Sequence, residues 1–132
     1  MNMAKDILVI DDDPDITTYC SSVLGNHGYR VRTATSAQEG ETVLRAQRPD
    51  LVILDIMMES PEAGLQLANS IARDFPGLPV ILFSSIADAC MQTFDTSNLP
   101  VAAIIEKPIE PQDLLATVGK IFKENPEDTP AR

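Results

Sequence analysis

Unbroken apolar runs that end in a carboxylate constrain the fold of this 132-residue chain more than any other feature. Leu51-Val52-Ile53-Leu54 is closed by Asp55, and Ile7-Leu8-Val9-Ile10 by Asp11-Asp12-Asp13. A strand with one wet face alternates apolar and polar residues. Four consecutive apolar residues instead suit a strand covered by helices on both faces. Pro49-Asp50 punctuates the start of the Leu51 run. Asp55 therefore falls at the carboxyl end of a buried strand, where ligands gather in open α/β sheets, and it is the first candidate for a working residue.

The segments between such runs read as helices. Asp13 before Pro14 has the form of an N-cap with proline in the first turn, and Asp15 adds favourable charge there. Ile16, Tyr19, Cys20, Val23, Leu24 and His27 follow at three-and-four spacing as one inner face, which stops near Gly25 to Gly28. Tyr29 to Thr35 alternates, as an edge strand does, and its arginines discourage edge pairing. Ser36 with Glu39 resembles a capping box ahead of a second helix whose inner side is Gly40, Val43, Leu44 and Gln47. After Asp55, a third helix presents Leu65, Ala68, Ile71, Ala72 and Phe75 and stops at Pro76-Gly77. Val80-Ile81-Leu82-Phe83 is a fourth strand ending at Ser84-Ser85. Ile86 to Leu99 reads as a weak helix rich in residues that prefer caps and turns. Val101 to Ile105 is a fifth strand, closed by Glu106-Lys107-Pro108. Pro111 opens a last helix with Leu114, Leu115, Val118, Ile121 and Phe122 on one face.

Five strands alternating with five helices imply a parallel sheet. The expected architecture is a flavodoxin-like doubly wound (βα)5 sandwich with strand order 2-1-3-4-5. It forms one domain over residues 1–124, and residues 125–132 form a polar, proline-bearing tail or the start of a linker. That order sets the first and third strands side by side, so Asp11, Asp12 and Asp55 meet in one cleft. Ser84 and Lys107 reach the same rim.

Composition narrows the function classes. A formal charge of -10 and a pI near 4.3 oppose nucleic acid or an anionic membrane as direct partner, since either requires a basic face. The apolar runs are too short for a membrane span, and the first residues carry no signal-peptide core, so a cytoplasmic location is expected. Cys20 and Cys90 lack metal-ligand spacing and read as free thiols.

Three carboxylates in one cleft repel by about 4 kcal/mol per pair at ~4 Å and an effective dielectric constant of about 20, so such a set calls for a cation. Oxygen donors without histidine or thiolate select a hard ion, and Mg²⁺ is the usual one where phosphate is handled. Lys107 supplies a positive charge able to pair with Asp55 and then with a phosphoryl oxygen, and Ser84 supplies a hydroxyl. An aspartate nucleophile, a metal, a lysine and a hydroxyl are the parts needed to accept a phosphoryl group.

With these residues in these places, the chain from about Ile7 to Phe122 resembles the receiver domain of two-component response regulators. The resemblance implies that Asp55 is the phosphoacceptor and that Asp12, Asp55 and the backbone carbonyl of Met57 coordinate Mg²⁺. It also implies that Asp11 acts mainly through metal-bound water, while Ser84 and Lys107 hold the phosphoryl oxygens. The implied partners are a histidine kinase or phosphotransfer protein upstream and an unknown protein or output domain downstream. Such a receiver catalyses only its own phosphorylation and dephosphorylation.

The chain departs from the family pattern at three places. Glu59 follows Met58 where receivers commonly have proline, Gly64 arrives one residue late and after Ala63, and aliphatic Ile104 stands at the usual aromatic switch position. Met57 and Ile86 occupy the positions that tune hydrolysis in the family. Neither can orient water, which predicts slow self-dephosphorylation. Two rivals are a phosphorylation-independent interaction module with a vestigial site and a small aspartate-nucleophile phosphatase. The latter needs a second aspartate where Met57 stands.

Overall fold

The computed structural model describes residues 4–56, 61–84 and 101–123, with the side chains of Pro61 and Glu62 outside that description. In chain order these residues form β1 (Asp6–Ile10), α1 (Pro14–Gly25), β2 (Arg30–Ala34), α2 (Ala37–Ala46) and β3 (Leu51–Asp55). They continue as α3 (Pro61–Asp74), β4 (Val80–Ser84), β5 (Ala103–Glu106) and α4 (Pro111–Lys123). The strands make one parallel sheet in the order β2-β1-β3-β4-β5, the expected flavodoxin-like winding. The weak helix expected over Ile86 to Leu99, the loop from Met57 to Ser60 and the tail over residues 125–132 lie outside the described residues.

The unbroken apolar runs are explained by two-sided burial. Leu8 and Ile10 of β1, Val52 and Leu54 of β3, and Val80 and Leu82 of β4 pack on one side with Leu44 of α2 and Leu67, Ala68 and Ile71 of α3. The residues between them, Ile7, Val9, Leu51, Ile53, Ile81 and Phe83, pack on the other side with Cys20 and Leu24 of α1 and Leu114, Val118, Ile121 and Phe122 of α4. Each central strand thus contributes alternate side chains to two separate cores.

Local signals set the helix starts. The Asp13 carboxylate accepts from the Asp15 amide at 3.0 Å, and the Ser36 hydroxyl accepts from the Glu39 amide at 3.0 Å. Glu39 reaches back to the Thr35 amide at 2.7 Å and not to Ser36, so the reciprocal half of the capping box is displaced by one residue.

Four details differ from the sequence expectation. His27 is exposed in the turn after α1, because the helix ends at Gly25 and the turn carries residue 27 off the inner face. Gln47 is likewise exposed at the end of α2. On α3 the buried stripe runs through Gly64, Leu67, Ala68 and Ile71, leaving Ala72 outside. The last strand begins at Ala103, opposite Ile81, and keeps Glu106 in the ladder opposite Ser84.

The arginines of β2 do not all stand out as guards of a free edge. Arg32 folds across the start of β1, with Nε 3.1 Å from Asp6 Oδ1 and Nη2 3.0 Å from Asp6 Oδ2. The same guanidinium donates to the carbonyls of Val43 and Gln47 at the end of α2. Asp6 and Asp50 close the cluster by exchanging backbone contacts: the Asp6 amide donates to Asp50 Oδ2 at 2.8 Å and the Asp50 amide to the Asp6 carbonyl at 2.7 Å.

Candidate functional site

The acids at the carboxyl ends of β1 and β3 converge because those strands are neighbours in register, Ile10 opposite Leu54. One carboxylate oxygen from each of Asp11, Asp12 and Asp55 lies within 4.8 Å of the others. Asp11 and Asp55 are buried and Asp12 is exposed, so the cluster opens to solvent on one side. The backbone fixes Asp11 twice: its amide donates to Ala34 O at 3.0 Å, and its Oδ1 accepts from the Asp13 amide at 2.9 Å. The bond from Asp13 had no signal beyond the N-cap pattern itself.

Lys107 arrives from the end of β5. Its amide donates to the Ser84 carbonyl at 2.7 Å, which brings the ends of β4 and β5 together. Its Nζ lies 3.3 Å from Asp11 Oδ2 and 3.4 Å from Asp55 Oδ1. A single ammonium therefore spans the two buried carboxylates. Ser84 is half-buried at the end of β4, beside the strand that carries Asp55. Met57 and Ile86 lie outside the described residues.

The electrostatics follow from this crowding. Burial pushes the Asp11 carboxyl above its ordinary value; the Asp13 amide and Lys107 oppose the shift, and Asp12 adds to it. Burial acts to lower the Lys107 ammonium, but the charges of Asp55 and Asp11 outweigh it and the net shift is upward. Lys107 accordingly stays protonated at neutral pH. Cys20, on the buried face of α1, has its thiol pushed up to about 12, first by burial and then by the Asp11 charge, which makes it an inert core side chain.

A cluster of three carboxylate oxygens that includes no histidine or cysteine among the described residues fits a hard cation bound by oxygen. A carboxylate nucleophile, room for such an ion and a neighbouring ammonium form an arrangement suited to phosphoryl chemistry.

The fold and this pocket define a flavodoxin-like domain with an acidic site at the order reversal of its sheet. Residues 7–119 match the family model of the response regulator receiver domain. The chain belongs to that family. It is 40% identical over 83 residues to the nitrogen assimilation regulatory protein NtrX of Azorhizobium caulinodans, covering 62% of this chain and 18% of the relative. It is 29% identical over 129 residues to the DNA-binding response regulator MtrA of Mycolicibacterium smegmatis, covering 98% of this chain and 55% of the relative. The CheY-like receiver domain protein of Methanospirillum hungatei superposes with a TM-score of 0.82 at 26% identity, covering 96% of this chain and all of the other. The chain thus spans only a part of these two curated regulators. No helix among the described residues is long and apolar enough to cross a membrane.

Proposed function

We propose that this receiver is a phosphoacceptor switch in which Asp55 takes a phosphoryl group from the phosphohistidine of a histidine kinase or phosphotransfer protein. The supporting observation is the meeting of Asp11, Asp12 and Asp55 within 4.8 Å, with Lys107 Nζ 3.4 Å from Asp55. In the transfer an Asp55 carboxylate oxygen forms the new O–P bond while the donor N–P bond breaks, and the released imidazole takes up a proton. Charge is spread over the three peripheral oxygens of the moving group. Lys107 turns its ammonium from the carboxylates to one of these oxygens, and the Ser84 hydroxyl donates to another. Mg²⁺ suits this donor set. Asp12, Asp55 and the Met57 carbonyl would hold it directly with Asp11 at one remove, and it would neutralise charge at the acceptor.

The domain turns over only its own acyl phosphate and acts in the cytoplasm, passing its state to a downstream protein or output domain. Met57 and Ile86 are apolar and neither can orient an attacking water by hydrogen bonding, so the acyl phosphate is long-lived.

The test is the intact mass after incubation with Mg²⁺ and acetyl phosphate, wild type against Asp55→Asn. One phosphoryl adduct on the wild type and none on the variant is expected, with slow decay after the donor is removed. An adduct that persists in Asp55→Asn would refute the assignment of the acceptor. Rapid Mg²⁺-dependent decay would refute the long lifetime alone.

A further inference from the structure

Gly64, in the first turns of α3, is buried against the backbone that carries the acceptor. A Cβ at this position would lie 2.6 Å from the Ile56 carbonyl oxygen, 2.9 Å from the Asp55 carbonyl oxygen and 3.1 Å from the Ile56 carbonyl carbon. All three atoms are main chain, so no rotamer change can make room. The peptide is also held from its other side. The Ile56 amide donates to the Phe83 carbonyl at 3.1 Å, and Asp55 stands opposite Phe83 in the ladder. The Asp55–Ile56 backbone is therefore clamped between β4 and the glycine of α3.

Gly40 differs in kind. A Cβ there would meet the end of the Ile10 side chain at 2.6 Å, which can shift. At Gly119 a Cβ would meet nothing within 4 Å. Among the described glycines, only Gly64 abuts backbone at this range.

We propose that Gly64 is a positioning residue of the phosphoacceptor site: its missing side chain lets α3 press on the Asp55 and Ile56 carbonyls and fixes the peptide that aims the Asp55 carboxylate at Asp11, Asp12 and Lys107. The inference rests on the reading of this cluster as a Mg²⁺-dependent acceptor site. A side chain at residue 64 must drive α3 off the strand end or twist the peptide against its bond to Phe83. The first movement releases one side of the clamp on the Asp55–Ile56 peptide and the second turns that peptide, and both loosen the placement of Asp55 relative to Asp11 and Asp12, which are carried by a different strand.

The test compares Gly64→Ala with Val118→Ala, a buried-core truncation on the opposite side of the sheet, and with wild type. Mg²⁺ affinity is read by calorimetric titration and folding stability by urea denaturation, both on the whole chain. Gly64→Ala is expected to weaken Mg²⁺ binding by about tenfold to a hundredfold, the range for residues that orient metal ligands. Val118→Ala loses stability with Mg²⁺ affinity unchanged. Gly64→Ala within about twofold of wild type, or a loss reproduced by Val118→Ala, overturns the inference. Should Gly64→Ala not fold, Leu67→Ala, which removes a buried anchor of α3, is compared with Val118→Ala in the same two measurements. Weaker Mg²⁺ binding by Leu67→Ala alone supports the clamp, and equal affinities overturn it. A wild type that binds no Mg²⁺ defeats the acceptor-site reading and the inference together, whereas a wild type that binds it while Gly64→Ala binds equally defeats only the inference.

Discussion

Strand β1 has a buried aspartate at each end, and the two are treated in opposite ways. Asp6, at its start, lies against the guanidinium of Arg32, which faces both carboxylate oxygens and ties the strand to the end of α2. Asp11, just past its end, shares one ammonium with Asp55 and stands within reach of a third carboxylate. The first site holds a buried charge against one guanidinium, with Oδ1 hydrogen-bonded to Nε and Oδ2 in ion-pair contact with Nη2, while the same group is anchored on the carbonyls at the end of α2, which suits a fixed joint. The second packs acid beside acid around a mobile lysine. It is a poor device for stability and a good one for holding a cation and receiving a phosphoryl group. The two ends of one strand thus separate folding from function.

The sharpest way to break this comparison is to remove Arg32. Arg32→Met leaves Asp6 buried without its cation and is expected to cost about 3–5 kcal/mol in urea denaturation, with Mg²⁺ affinity kept in the protein that remains folded. A loss of Mg²⁺ binding in proportion to stability would mean that the ends are not separate.

The opposite sign is expected at the other end. Asp12→Asn removes one of three crowded charges, so the metal-free protein gains about 1 kcal/mol by relief of the solvent-screened repulsion between an exposed charge and two buried ones. The wild type gains about 2.7 kcal/mol when Mg²⁺ is present at a hundredfold excess over its Kd. At the same Mg²⁺ concentration the variant gains far less. A variant that is both less stable without Mg²⁺ and equally stabilised by it would contradict the division of roles.

The sequence carried the active end of β1 more legibly than the structural end. Asp11, Asp12 and Asp55 stand after apolar runs at strand ends, and the strand order that brings them together follows from alternation of strands and helices. Lys107 was placed beside these acids for the same reason, and Ser84 at the end of the neighbouring strand. The Asp6–Arg32 joint was not, because an arginine on an alternating strand looks like any edge-strand charge until the neighbouring helix end is in place. On α3 the spacing placed Ala68 and Ile71 in the core and Leu65 and Phe75 against it, and it erred only by a small rotation: Leu67 is buried and Ala72 is exposed, with Gly64 seated on the Asp55–Ile56 carbonyls. His27 followed the helical spacing correctly but lay beyond the end of the helix, where that spacing no longer applies.

Acidification should also separate the buried acid at the active end from ordinary carboxylates. Asp11 has its folded-state value raised above the ordinary 3.8, so the folded protein binds its proton more readily than the unfolded chain does. Its destabilising contribution is present above the raised value, and stability is regained as pH falls from there toward 3.8. Below 3.8 both states are protonated and Asp11 contributes no further change. In metal-free buffer the stability difference between wild type and Asp11→Asn should narrow or shift in the wild type's favour across that window. Mg²⁺ affinity falls in the same window, since the cation needs the ionised form. A wild type that loses stability relative to the variant as pH drops through this range would reverse the assigned sign.

The smallest effect concerns a third aspartate, Asp74, which resembles Asp6 in having arginine partners but sits in water. Its Oδ2 lies 2.6 Å from Arg45 Nη2, and its Oδ1 lies 3.0 Å from Arg73 Nε. The hydrogen bonds from Arg73 and then Arg45 hold the carboxyl down to about 2. The sign is opposite to that of Asp11: the contribution of Asp74 is present above 3.8 and is lost as pH falls from 3.8 to about 2. Because solvent and salt screen this exposed network, Asp74→Asn should lower stability at neutral pH far less than Arg32→Met does. The difference from wild type should shrink further in high salt and vanish below the folded-state value. If Asp74→Asn instead cost as much as Arg32→Met, burial would not be what makes the joint at the start of β1 strong, and arginine geometry alone would have to carry it.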